Sequence, residues 1–324
     1  MPSNPQIIGM GEVLIDFIGV EHTSFDEATT FKKCFGGSPM NTIIGVARLG
    51  VETGAISAVG DDSFGRFILE EFKKNKVDTS HIKIKKGVRT TLAFIVNDPV
   101  RGWTCIFYRS PWLKHTSDSL LSPKEIDYDY ISKSKILHVS GFALSQNPGR
   151  QALFKAVRVA KKAGVDVSFD PTLRLDVWRS KNILRKTYSQ MLRLADIATF
   201  SMEEAEFVFG TSNPREAAEK ALKYGVRIVG VKLGSQGSFV KVRDGPEVSA
   251  PAFKVNVVDA TGAGDGWNAG LLVGLCKDLE VENCIKVANA VGALVVTKPG
   301  AITALPYRDD LNRFLYENNV NIRL

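Results

Sequence analysis

From Ile136 to Lys232 short β-branched runs alternate with amphipathic stretches, and that alternation leaves few folds open. Ile136-Leu-His-Val-Ser140, Val165–Asp170, Ala195–Phe200 and Arg227–Lys232 read as strands, while Pro148 to Ala163 repeats its apolar residues at helical spacing. Strands joined by helices need right-handed crossovers, so they align in one largely parallel sheet with helices packed on it. Ligands of such sheets gather at the carboxyl ends of the strands. Asp170 and Arg174 fall there.

A second stretch carries chemistry. Phe253–Val258 alternates like a strand, and Trp267, Leu271, Leu272 and Leu275 repeat at helical spacing, so a helix should begin near Gly264. Between them lies Asp259-Ala-Thr-Gly-Ala-Gly-Asp265. Glycines at a helix start leave main-chain N–H groups uncovered at the positive end of a dipole, which is an anion site. A carboxylate planted there, Asp265, is either a helix cap or a base that removes a proton beside the bound anion. The second alternative describes phosphoryl transfer, with the amides holding the charge of the transferred group.

Composition excludes several classes. The net charge of +7 on 324 residues comes with no Lys/Arg cluster interleaved with aromatics, so a nucleic-acid surface is not expected. Four cysteines (Cys34, Cys105, Cys276, Cys284) form no Cys-x-x-Cys pair and have no histidines at ligand spacing, as expected of free thiols in a reducing cytosol. No apolar run of about 18 residues or signal-peptide pattern is present, so the expectation is a cytoplasmic protein without a membrane span. Gly9-x-Gly11 would need its third glycine at Leu14, and no helical pattern follows, which leaves a Rossmann dehydrogenase unsupported. None of the four histidines is assigned to catalysis.

The run Asp259-x-Thr261-Gly262-Ala263-Gly264-Asp265 resembles the C-terminal motif of the ribokinase/PfkB family of sugar kinases. Gly36-Gly37-Ser-Pro-Met-Asn41, followed by Ala47-Arg-Leu-Gly50, resembles the family's N-terminal motif, and the likeness runs through roughly residues 6–307. The resemblance implies a ribokinase-like α/β fold. A central, mostly parallel sheet is flanked by helices, and a small β-sheet lid is built from about 17–35 and 88–110, within one kinase domain spanning 1–324. Thr90–Asn97 and Trp103–Arg109 form the lid's hairpin around Asp98–Gly102.

The resemblance also implies roles. Asp265 is the base, the amides of Ala263, Gly264 and Asp265 form the anion hole, and Gly262 belongs to the same catalytic turn. Asp16, Gly36, Gly37, Asn41 and Arg109 hold the sugar, with Ser38 as cap and Pro39 in the first turn of the helix that follows. Asp170 and Arg174 complete the substrate side, Arg174 either binding substrate or pairing with Asp170; the family often has Asn where Thr172 stands. Lys232, Gly234, Gly237, Thr261 and Asn289 line the nucleotide side, where Lys232 is a phosphate ligand or merely a solvated strand-end lysine. Glu204 organises Mg²⁺ through water, with Ser201 in place of the family's asparagine. Carbonyls near Asp259 and in 298–301 hold a monovalent cation such as K⁺.

ATP is the expected donor. Phe107-Tyr-Arg-Ser-Pro111 resembles fructokinases, so fructose is the first expected acceptor, ahead of 2-keto-3-deoxygluconate, a nucleoside or myo-inositol. The inserted Trp112–Thr116 bears on that choice. A sugar sensor without catalysis is the rival class, and a homodimer through the lid is the expected assembly.

Overall fold

A computed structural model of the chain describes residues 4–109, 113 and 116–324. Of the inserted stretch 112–116, residues 112, 114 and 115 lie outside the described residues. Among the described residues thirteen strands build two sheets. They are β1 (Ile7–Met10), β2 (Leu14–Gly19), β3 (Phe31–Gly36), β4 (Thr53–Gly60), β5 (Asp78–Lys85), β6 (Thr91–Asp98) and β7 (Gly102–Tyr108). Then come β8 (Ile136–Ser140), β9 (Asp166–Asp170), β10 (Ile197–Ser201), β11 (Ile228–Lys232), β12 (Ser238–Val242) and β13 (Glu247–Ala250).

The large sheet runs β13-β12-β11-β10-β9-β8-β1-β4-β5, parallel except for β12 and β13 at one edge. Successive residues of its strands face opposite layers. Ile8, Leu137, Val167 and Phe200 enter one apolar core, and Ile7, Ile136 and Ile197 enter the other. Burial of both faces is why these strands read as near-continuous apolar runs. The small sheet runs β3-β2-β6-β7, with β6 and β7 as the expected hairpin.

Two expectations fail here. The apolar run Gln6 to Phe17 reads as one buried strand with a break at Gly9/Gly11, but it forms two: β1 pairs with β4 and β8 in the large sheet, while β2 pairs with β3 and β6 in the small one. The glycine-containing link between them sends the chain from one sheet to the other. Phe253–Val258 is not a strand at all. Pro251, with no N–H to donate, follows the last residue of the edge strand β13, and Val257 and Val258 stay 64 % and 49 % exposed. The amides of Val258 and Asp259 instead both reach the Val296 carbonyl.

The carboxyl ends of β8, β9, β10 and β11 place Ser140, Asp170, Ser201 and Lys232 toward one region. The starts of helices Ser38–Arg48 and Ala263–Cys276 converge on it.

Candidate active site

Gly262 takes the left-handed conformation (φ 80°) and begins helix Ala263–Cys276 without a side-chain cap. A β-carbon there would lie 2.5 Å from the Ala301 β-carbon, so the turn admits only glycine. The Ala263 N–H, expected to face a ligand, turns back onto the Ala260 carbonyl at 3.2 Å. Gly266 donates to the Gly262 carbonyl. The amides of Gly264 and Asp265 have no acceptor among the described residues. The Lys232 ammonium lies only 3.3 Å from where a Gly264 β-carbon would stand. Two open amides, a helix start and a cation together form an anion site.

The Asp265 side chain turns away from its own helix end. Its Oδ1 accepts from Ser38 Oγ at 2.7 Å and its Oδ2 from Asn41 Nδ2 at 2.8 Å, so it is not a cap. Burial raises its pKa to about 6, and the like charge of Asp170 pushes the same way. The bonds from Asn41 and Ser38 and the Lys232 charge pull against that rise. The carboxyl therefore exchanges a proton near neutral pH, as general-base work requires.

Ser38 is a correction and a gain. It is the first residue of helix Ser38–Arg48, not its cap; Gly37 (φ 111°) holds the cap position, and Pro39 lies in the first turn as expected. The Ser38 N–H is taken at 3.1 Å by Glu12 Oε1, a carboxylate from outside the helix. With its amide satisfied by Glu12, the serine hydroxyl is free for Asp265. No pattern near Ser38 announces that partner, which is 227 positions away.

Asp16 is buried close by, with its pKa raised to about 8 by burial and by the Asp265 charge, and no hydrogen bond holds its charge. A β-carbon on Gly36 would meet Asp16 Oδ2 at 2.3 Å, so the glycine leaves the carboxylate room. Asn41 Oδ1 is buried with no donor. Both groups retain acceptor capacity.

Asp170, at the end of β9, has the opposite environment. Lys232 Nζ and Asn268 Nδ2 each donate to its Oδ2 at 2.6 Å, and the Thr172 amide to its Oδ1 at 2.8 Å. Burial alone would raise its pKa, but the Lys232 charge and these bonds hold it below the usual carboxylate range. Lys232 is thus no solvated strand-end lysine. Arg174, the other candidate partner for Asp170, does not pair with it. Its Nη1 donates to the Leu173 carbonyl, its guanidinium lies 4.9 Å over the Trp103 ring, and its Nε is buried without an acceptor.

Three further expectations meet different surroundings. Arg109 is fully buried, with its guanidinium 2.7 Å from Asp118 Oδ2 and 4.5 Å over the Phe142 ring, and none of its three nitrogens makes a hydrogen bond among the described residues. Asn289 Oδ1 accepts from Ser238 and Trp267, while its Nδ2 donates to the Ala250 and Pro251 carbonyls. All four of its hydrogen-bonding positions are filled, leaving none for a purine. Asp259 Oδ1 takes the Thr261 amide and hydroxyl, and its Oδ2 takes the Gly300 amide, so it ties two loops together and is no bare cation ligand. The Asp259–Thr261 turn is local, but the other partners escape a linear reading because they lie on other segments.

Glu204 forms a capping box with Ser201 and also accepts from the Leu173 amide. Burial and the Asp170 charge raise its pKa. One lone pair per oxygen remains for a water. Among the described residues no cluster of three His, Cys, Asp or Glu could hold a metal directly. Gly234 (φ 58°) and Gly237 (φ 99°) turn the chain between β11 and β12, Gly237 pressed against the backbone of 250–252. Trp103 Nε1 donates to Thr261 Oγ1 at 3.2 Å, bridging the small sheet to the anion motif.

A proton acceptor beside an anion hole, at the strand ends of an α/β sheet, defines a phosphoryl-transfer class of site. The pattern of the pfkB family of carbohydrate kinases matches residues 4–308, and this chain belongs to that family. It is an enzyme, a phosphotransferase with an alcohol acceptor. The chain is 35 % identical to probable fructokinase-7 of Arabidopsis thaliana, over 97 % of this chain and 93 % of that protein. It is 34 % identical to 5-dehydro-2-deoxygluconokinase of Geobacillus thermodenitrificans, over 95 % and 92 %. A structure of Vibrio cholerae fructokinase holding fructose, ADP and a calcium ion superposes with a TM-score of 0.84 at 31 % identity, covering 97 % of this chain and all of that one. The expected ribokinase-like fold and sugar-kinase class hold. The Arabidopsis and Geobacillus relatives are named for different acceptors.

Proposed function

We propose that this kinase transfers the γ-phosphoryl of ATP to the primary hydroxyl of fructose, giving fructose 6-phosphate. The observation carrying this reading is the Asp265 carboxylate set beside two open amides of its own helix start. Asp265, held by Ser38 and Asn41, removes the proton from the attacking hydroxyl. The amides of Gly264 and Asp265, with Lys232 beside them, neutralise the transferred group. Asp16, Asn41 and the backbone at Gly36-Gly37 accept and orient the sugar hydroxyls. Thr261, Gly234 and Gly237 border the nucleotide.

When bound with the nucleotide, Mg²⁺ offsets phosphate charge, and Glu204 holds it through water. A potassium ion would rest on main-chain carbonyls of the loops that Asp259 ties together. The small sheet is the lid of one kinase domain, and its outer face, with Ile106 and Tyr108 exposed, is the dimer contact. Four free thiols suit a reducing cytosol.

One observation favours a second acceptor, a keto-acid such as 5-dehydro-2-deoxygluconate or 2-keto-3-deoxygluconate. Arg174 has a buried Nε without an acceptor and acts on the charge of Asp16, so a substrate carboxylate would find a partner there. A coupled ADP-release screen across fructose and both keto-acids, with and without K⁺, separates the readings. Fructose should give the highest turnover. Higher turnover on a keto-acid, lost in Arg174→Ala, would replace fructose; no sugar-dependent ADP release from any acceptor would leave only a sensor.

A further inference from the structure

We infer that Ser38 and Thr172 form a hydroxyl pair whose task is to hold the Asp265 carboxylate in a single orientation, making both of them positioning residues for the proton transfer. The inference rests on the role proposed for Asp265.

It starts from an unusual backbone. Thr172 has φ 42°, a left-handed conformation that a β-branched residue adopts only under constraint. Asparagine or glycine would occupy it more readily. Such strain persists where the surroundings over-determine it, and it clusters at working sites. Here it delivers a hydroxyl between two carboxylates. Thr172 Oγ1 lies 3.1 Å from Asp170 Oδ1 and 3.1 Å from Ser38 Oγ. Ser38 Oγ in turn lies 2.7 Å from Asp265 Oδ1.

Proton counting sets the direction at the Ser38 end. Each hydroxyl has one hydrogen. An ionised Asp265 can only accept, so Ser38 must donate to it, and Ser38 then has lone pairs to offer. Asp170 already receives Lys232, Asn268, Thr199 and the Thr172 amide, and Thr172 Oγ1 is equidistant from its Oδ1 and from Ser38 Oγ. The inferred pair is the arrangement in which the Thr172 proton faces Ser38 and polarises it toward Asp265. Asn41 holds the other oxygen, and Glu12 holds the Ser38 amide, so the serine cannot swing away without losing a buried bond. The charged groups that act on Asp265 from other elements are Asp16, Asp170 and Lys232.

The test measures kcat/KM against pH for Ser38→Ala, Thr172→Val, Thr172→Ser and the Ser38→Ala/Thr172→Val double variant, with melting temperatures and ADP affinity alongside. Ser38→Ala should lower kcat/KM about 10- to 100-fold, the range for a hydrogen bond to a charged group. It should also move the acid limb up by roughly half to one pH unit, because a bond favouring the carboxylate is gone. Thr172→Val keeps the shape and should act in the same direction by roughly 3- to 10-fold, while Thr172→Ser stays near wild type. The double variant should be no worse than Ser38→Ala alone. An unmoved acid limb in both single variants, or losses that multiply in the double, overturns the pair. If Ser38→Ala does not fold, the Thr172→Val limb decides alone. A wild-type protein inactive on every sugar would instead refute the proposed function.

Discussion

Helices Ser38–Arg48 and Ala263–Cys276 begin alike, each behind a glycine with positive φ and without a side-chain cap. Their amides end differently. In the first helix the Ser38 amide meets Glu12, Pro39 has none, and Met40 and Asn41 both reach the Gly37 carbonyl. In the second, Ala263 and Gly266 are satisfied locally, and Gly264 and Asp265 are not. A helix start favours a negative charge whoever supplies it. The first is filled by a carboxylate of the chain itself, and the second is open to a ligand. The filled start is rigid and presents Ser38 and Asn41; the open one presents the base those two residues hold.

Breaking the open side should have the largest effect. Lys232→Met leaves Asp170 as a buried charge without its cation, and unfolding in urea should show a loss of about 3–5 kcal/mol. A loss under about 1 kcal/mol would mean that the pair behaves as a surface salt bridge. Asp265→Asn comes next. It should reduce kcat at least ~100-fold while ADP affinity, measured by calorimetry, stays near wild type. A near-normal rate would remove Asp265 from the base role.

The filled side sharpens the contrast with a smaller effect. Burial raises the Glu12 pKa from 4.5 to about 7, partly opposed by its bond from Ser140. The folded protein therefore binds more protons than the unfolded chain between about pH 4.5 and 7. Stability contributed by this group falls as pH rises through that window and is level above it. Glu12→Gln keeps an acceptor for the Ser38 amide but cannot titrate, so melting temperature should fall less between pH 5 and 8 than in the wild type. An identical pH slope would show that Glu12 does not titrate there.

Lys232 and Arg174 show how much could be read beforehand. Both are placed at strand ends by a pattern of apolar runs, and both lie at the site. Arg174 was the candidate partner for Asp170, since a carboxylate four residues from an arginine invites that pairing in any linear reading, whereas Lys232 read as a phosphate ligand or a solvated lysine. The structure gives Asp170 to Lys232, 62 positions away. Arg109 is a related case: its strand was legible, but the buried Asp118 beside its guanidinium lies beyond an insertion.

Local order was within reach of the sequence by itself. Strand and helix periods, the two glycine turns and the carboxylate at position 265 follow from backbone sterics and from side-chain spacing along a few residues, which a linear string records. The partners of those groups were decided by tertiary structure alone. Ser38 with Asp265, Glu12 with the Ser38 amide, and Asn289 with four neighbours are meetings between distant segments. Their energies depend on burial and on who else competes for each lone pair, and neither exists until the layers close.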